Sequence, residues 1–139
     1  MSGTPDFLTV NGGADKPGGG SWEVFSDERL KTIKGRFTPG LAAVMQLRPI
    51  RYEYEPDNAL GLKSSQEHIG FSAQAVQQVV PEAVSANDKG YLLVNNGPIL
   101  WAMLNAIQEQ QKEIQDLQRR LAALKAALGG RQSLPHKGV

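Results

Sequence analysis

Ser26 and Lys31 are the two side chains whose types could perform covalent chemistry together. A serine hydroxyl is a weak nucleophile, and a neutral lysine amine can take its proton where burial lowers the lysine pKa. Such a dyad would need no metal or cofactor. Its spacing works against it. Five positions span roughly 140° around an α-helix, and on a strand the two side chains would face opposite sides. They can meet only if the chain bends between them. On spacing alone, a solvated Ser-Asp start with a surface lysine is the better reading.

Other chemistry finds little support in the sequence. The 139 residues contain no cysteine, so disulfides, thiol catalysis and thiolate metal sites are excluded. His68 and His136 lie far apart and lack metal-ligand spacing. A net charge of +1 argues against a nucleic-acid partner, which requires a clear excess of Lys and Arg on one face. No apolar run approaches the roughly 20 residues of a membrane span, and the start does not read as a signal peptide. No phosphate-cradling glycine loop or paired-carboxylate motif suggests a conventional small-molecule enzyme.

The elements that must position the dyad read as a small α+β body followed by a long helix. Residues 1–25 are turn-rich, with Asn11-Gly12-Gly13 and the run from Lys16 to Ser21. This much glycine cannot hold a core alone. A flexible linker is one reading; the end of a stalk is the other, because Phe7, Val10, Trp22, Val24 and Phe25 are more apolar than a solvated linker needs. Residues 26–97 form the expected body. Gly35 breaks the chain, and Thr38-Pro39 should open a helix with Thr38 as N-cap, its apolar stripe being Leu41, Val44 and Met45. Ile50 to Glu55 alternates apolar and charged residues, as a half-buried strand does. Leu60 to Glu67 reads as an exposed loop, and His68 to Phe71 as a short strand. A helix over Ala73 to Val80 meets Pro81. A turn at Asn87 to Gly90 leads into a strand over Tyr91 to Val94. With strands this short, the core looks marginal for a monomer.

Residues 98–128 carry the strongest periodicity. With Leu100 at position a, Ile107, Ile114, Leu121 and Leu128 follow at a, and Met103, Gln110, Leu117 and Leu124 at d. This heptad predicts a coiled coil and hence self-association. Ile at a with Leu at d leans by itself towards two chains, and the polar Gln110 could set register or chain number. Gly129-Gly130 should end the helix, leaving residues 129–139 as a disordered tail.

The run Ser26-Asp27-Glu28-Arg29-Leu30-Lys31 resembles the opening motif of the peptidase S74 family, the intramolecular chaperone of phage endosialidases and tail fibres. The family also occurs in myelin regulatory factors. Further blocks resemble it in the expected order. They are Leu47 to Tyr54, His68 to Gln77 with Pro81-Glu82-Ala83-Val84, and Gly90 to Val94 leading into the long helix. The resemblance implies a homotrimer that guides folding of a fibre attached in cis and then cuts itself off before the motif serine. Ser26 would attack the carbonyl of Phe25, Lys31 would be the general base, and Asp27, His68 and Gly70 would support the site. It further implies a phage tail fibre or bacterial surface fibre, with no nucleic-acid or membrane partner and no cofactor. The chain departs from the family pattern at Thr32-Ile33, where Asn often stands two residues after the lysine. The competing reading is a trimerisation and capping domain that does not cut. A membrane-tethered or nuclear regulator would need a span or basic patch that the sequence lacks.

Overall fold

The strand segments are too short to make one sheet, and they pair locally instead. The computed structural model describes residues 24–131. In chain order these form a 3-10 turn Glu28–Leu30, helix α1 Leu41–Val44, strands β1 Ile50–Tyr52 and β2 His68–Gly70, and helix α2 Ala73–Val79. A second 3-10 turn Pro81–Ala83, strands β3 Val84–Ala86 and β4 Leu92–Val94, and helix α3 Asn96–Arg131 complete the order. The fold is α+β, as expected: short antiparallel strands and a long C-terminal helix. It divides into two units, residues 24–35 with 49–70, and residues 36–48 with 71–131. Of the stalk end or linker expected over 1–25, only Val24 and Phe25 fall among the described residues, as do 129–131 of the tail.

The first unit is built on β1 and β2, which pair antiparallel with Ile50 opposite Gly70 and Tyr52 opposite His68. The ladder ends at Tyr52, short of the Glu55 expected from periodicity, because its partner strand ends at His68. The alternation nevertheless continues, with Tyr52 and Tyr54 half-buried and Arg51 and Glu53 exposed. Ile50, expected on a buried face, is 40% exposed. The following loop is organised by Asn58, whose amide donates to Glu55 O and Leu62 O at 2.8 and 2.7 Å and accepts from Leu62 N. None of this unit's described residues is fully buried. A two-stranded hairpin without a core of its own is marginal in water.

Among the described residues, the buried apolar ones belong to the second unit: Val76, Val80, Ala83, Ile99, Ala102 and Ala106. Val76, Val80, Ala83 and Ile99 form its centre, with Phe37, Ala43, Leu47, Phe71 and Val94 packed around them. The α2 stripe thus points inward, and Ser72 caps the helix by accepting from Ala75 N. Pro81 restarts the chain as a 3-10 turn. Val84–Ala86 was not anticipated as a strand; three residues carry too little periodicity, and pairing with Leu92–Val94 decides the matter. The expected turn joins them, with Asn87 Oδ1 accepting from Lys89 N and Tyr91 N and Gly90 at φ 82°.

Three helix boundaries correct the sequence reading. Helix α1 starts at Leu41 after Gly40, with no local side-chain cap. Its first amide is capped from α3 instead, where Glu109 Oε2 accepts from Leu41 N at 2.8 Å. A tertiary carboxylate has displaced the Thr38 cap. Helix α3 begins at Asn96, ahead of Pro98, because Asn95 Oδ1 accepts from Gly97 N at 2.8 Å. Pro98 sits where a helix lacks donors' partners anyway. At the other end α3 runs through Gly129 and Gly130 to Arg131. Neither glycine takes the positive φ of a terminating cap. Glycine within a helix costs about 1 kcal/mol relative to alanine, which weakens a helix without ending it. Among the described residues, no helix is long and apolar enough to cross a membrane.

Val80 is fully buried at the centre of this small core. Val80→Ala should therefore destabilise the fold by about 2 kcal/mol. Urea unfolding at fixed protein concentration measures this, and the exposed Lys89→Ala should leave the midpoint unchanged.

Candidate active site

The bend that the dyad requires is the first 3-10 turn. Asp27 enters it in extended conformation (φ −65°, ψ 129°) and Lys31 leaves it likewise (φ −121°, ψ 142°). Between them Leu30 N donates to Asp27 O at 3.1 Å and Lys31 N to Glu28 O at 3.0 Å. A 3-10 turn of three residues advances only about 6 Å. Ser26 and Lys31, just outside its two ends, are thereby brought together. Lys31 Nζ donates to Ser26 Oγ at 2.6 Å. A deprotonated amine can accept the hydroxyl hydrogen over the same separation, which is the contact a general base needs.

Asp27 serves the turn rather than touching the hydroxyl–amine pair. Its Oδ1 accepts from Arg29 N at 2.9 Å, capping the turn. The Arg29 guanidinium also grips the carboxylate, with Nε 3.1 Å from both oxygens and Nη2 2.7 Å from Oδ2. These bonds, the side-chain ones foremost, hold the Asp27 carboxyl below the ordinary aspartate range. Asp27 in turn raises the Arg29 guanidinium. The role of Arg29 was missed from sequence. The signal available was an acidic turn-start residue followed two positions later by a long cation able to fold back onto it.

His68 and Gly70 have structural surroundings of their own. The His68 ring lies 5.4 Å from Tyr52 and 5.5 Å from Tyr54, and the two tyrosine rings meet edge to face at 5.5 Å. Hydrogen bonding with Tyr54, and then partial burial, push the Tyr52 phenol up. A Cβ at Gly70 would stand 3.3 Å from Tyr52 Cε1, so glycine leaves room for that ring. These contacts show how both residues build the hairpin. The structure shows no hydrogen bond from His68 to Ser26 or Lys31 among the described residues.

Burial is where the site departs from expectation. Ser26 and Lys31 are both exposed, and Val24 and Phe25 are 84% and 92% exposed. Leu30 and Ile33 are exposed too. Among the described residues, both sides of the Phe25–Ser26 bond are thus exposed, and so is Lys31. The heptad positions expected to form a coiled coil are exposed as well. Leu100, Met103, Ile107, Gln110, Ile114, Leu117, Leu121 and Leu124 all lie exposed along α3. Leu117 is 60% and Leu121 53% exposed.

The Asp27 fork has a pH signature. A carboxyl whose folded value is lowered contributes to folding above its unfolded value, and that contribution is lost as pH falls through the folded value. The turn should therefore persist below the ordinary aspartate range and loosen only on further acidification. The Asp27 side-chain carbon resonance, followed from pH 7 downwards, should titrate late, and Arg29→Ala should bring its midpoint back up.

Residues 26–85 match the model of the peptidase S74 family, described as the chaperone of endosialidase. The match opens on Ser26 and takes in the dyad, the Asp27 fork and the His68–Gly70 strand. It ends at Ser85, so Gly90 to Val94 and α3 fall outside it. It supports an intramolecular chaperone role with autoproteolytic peptidase activity. Residues 26–85, somewhat less than half of the 139, are thus similar to the peptidase S74 family, chaperone of endosialidase.

Proposed function

We propose that the chain is a self-cleaving intramolecular chaperone that trimerises, assists folding of a fibre attached at its N-terminus, and cuts between Phe25 and Ser26. The observation that carries this reading is the 2.6 Å contact between Lys31 Nζ and Ser26 Oγ, at the first residue of the family match. Its setting would be a phage tail fibre or a bacterial surface fibre.

The reading implies the following steps. Lys31 takes the Oγ proton as Ser26 attacks the carbonyl carbon of Phe25. The tetrahedral intermediate collapses with loss of the Ser26 nitrogen, which receives the proton from Lys31. This leaves an ester between Phe25 and Ser26 Oγ. Water hydrolyses it, giving a Phe25 carboxylate and restoring the hydroxyl. Because nucleophile and scissile bond are neighbours in the chain, proximity supplies much of the rate. No metal or cofactor takes part.

Assembly would supply what the lone chain lacks. Each Leu or Ile of the seam is worth about 1.5–3 kcal/mol when buried, enough together to offset the ordering of the helices. Neighbouring chains would also remove water from the dyad, so that cleavage follows correct assembly. The exposure of Ser26 and Lys31 favours one second reading, a trimerisation and capping domain in which cutting is absent or slow.

Intact mass under denaturing conditions, wild type beside Ser26→Ala, separates the two readings. A wild-type product beginning at Ser26, absent from the variant, is the expected result. Full-length mass in both would leave the capping domain. Hydroxylamine added during cleavage should capture the ester as a hydroxamate on Phe25. Replacing both Leu117 and Leu121 by Asp should yield uncut monomer; cleavage at an unchanged rate would sink the dependence on assembly.

A further inference from the structure

From Ser26 to Lys31 the charged side chains are Asp27, Glu28, Arg29 and Lys31. Asp27 is the chain neighbour of Ser26, and Lys31 Nζ rests on the Ser26 hydroxyl at 2.6 Å. A carboxylate thus stands one residue from the point where the amine would act as a base. Yet that carboxylate is taken by Arg29, with Nη2 2.7 Å from Oδ2 and Nε 3.1 Å from both oxygens. Among the described residues, Lys31 forms no ion pair with Asp27 or Glu28, nor with Glu53, Glu55 or Asp57 of the same unit. Glu67, the unit's remaining carboxylate, is held by Arg51 at 2.6 Å. Lys34 is the next charged side chain along the chain.

This division of partners bears on the chemistry. An opposite charge beside an amine favours its protonated form, and a like charge disfavours it. A protonated amine has no lone pair with which to take the serine proton. Released from Arg29, the Asp27 carboxylate would have Lys31 as the remaining cation of the turn. The guanidinium acts in the opposite sense twice over, since it engages the carboxylate and brings a positive charge that stays at any pH where a lysine loses its proton. The lowered Asp27 carboxyl fits a group committed to Arg29. Closing the turn does not require the guanidinium. The cap runs from the main-chain Arg29 N to Asp27 Oδ1 at 2.9 Å, so a change of side chain at position 29 leaves its donor in place.

We propose that Arg29 is a positioning residue for self-cleavage: by occupying the Asp27 carboxylate it keeps that charge off Lys31 and leaves the amine to Ser26. The inference rests on the cleavage reading above. It assigns Arg29 no part in making or breaking a bond, and among the described residues the guanidinium makes no hydrogen bond to Ser26 or Lys31.

The test follows the rate of Ser26 product formation by intact mass in the full chain as a function of pH. Arg29→Ala should move the rising limb of the profile to higher pH, cutting about threefold to fivefold slower at a fixed pH on that limb, and should reach the wild-type rate on the alkaline plateau. Adding Asp27→Asn removes the carboxylate while keeping a capping oxygen, and should bring the limb back. A rate lowered by the same factor at every pH, or a limb that the second substitution leaves displaced, would overturn the proposal, since the fork would then serve the turn alone. A second measurement does not depend on cutting. In Ser26→Ala protein, acetylation of Lys31 relative to Lys34 at fixed pH, read by peptide mass, should fall by a similar factor when Arg29→Ala is added. Unchanged labelling would also overturn the proposal. Wild type that stays uncut at every pH would bring down the cleavage reading and this role with it, even where the labelling falls as expected.

Discussion

Helix α3 carries two apolar faces side by side, and the described structure depends on how each is covered. One face, with Ile99, Ala102 and Ala106, is buried within its own unit. The small side chains of Ala102 and Ala106 suit the close packing of α1 on α3. The other face, Leu100 to Leu128 at heptad spacing, is exposed throughout. Exposed Leu and Ile side chains at heptad spacing leave apolar surface uncovered, and in the proposed reading facing copies of the same stripe would cover it. The first face thus organises a small domain, and the second has the pattern by which such domains associate.

The dyad shows a different economy of construction. A 3-10 turn of three residues, capped by Asp27 and clasped by Arg29, suffices to bring a serine and a lysine into contact. No long-range packing is needed for the contact itself. What a short exposed turn cannot do is exclude water, since nothing in it has bulk to spare. Contact is local and desolvation is not. In the proposed mechanism this separation is useful: the reactive pair can form early, yet remain slow until neighbouring surfaces close over it.

Much of the fold was legible because the signals were local. Period-two alternation marked Tyr52 and Tyr54, the valine stripe marked α2, and the heptads marked α3. Errors arose where a distant group replaced a local one. Thr38 was the natural cap by sequence, but Glu109 reaches across and caps Leu41 instead. Strand β3 acquires its identity from β4 rather than from its own three residues. The role of His68 was inferred from resemblance, and the structure shows it among tyrosines.

By itself, the sequence determined the composition limits and the heptad pattern, because these depend on residue type and spacing, whereas the roles proposed for Ser26 and Lys31 came from the resemblance. Residue order also located the segment whose family match begins at Ser26. Tertiary structure decided that five residues of separation close to 2.6 Å, that α1 is capped from α3, and that two hairpins form instead of one sheet. Each of these is a question of which partner satisfies a backbone group or covers a side chain. Such partners lie far away in sequence or depend on a turn too short to leave a periodic trace.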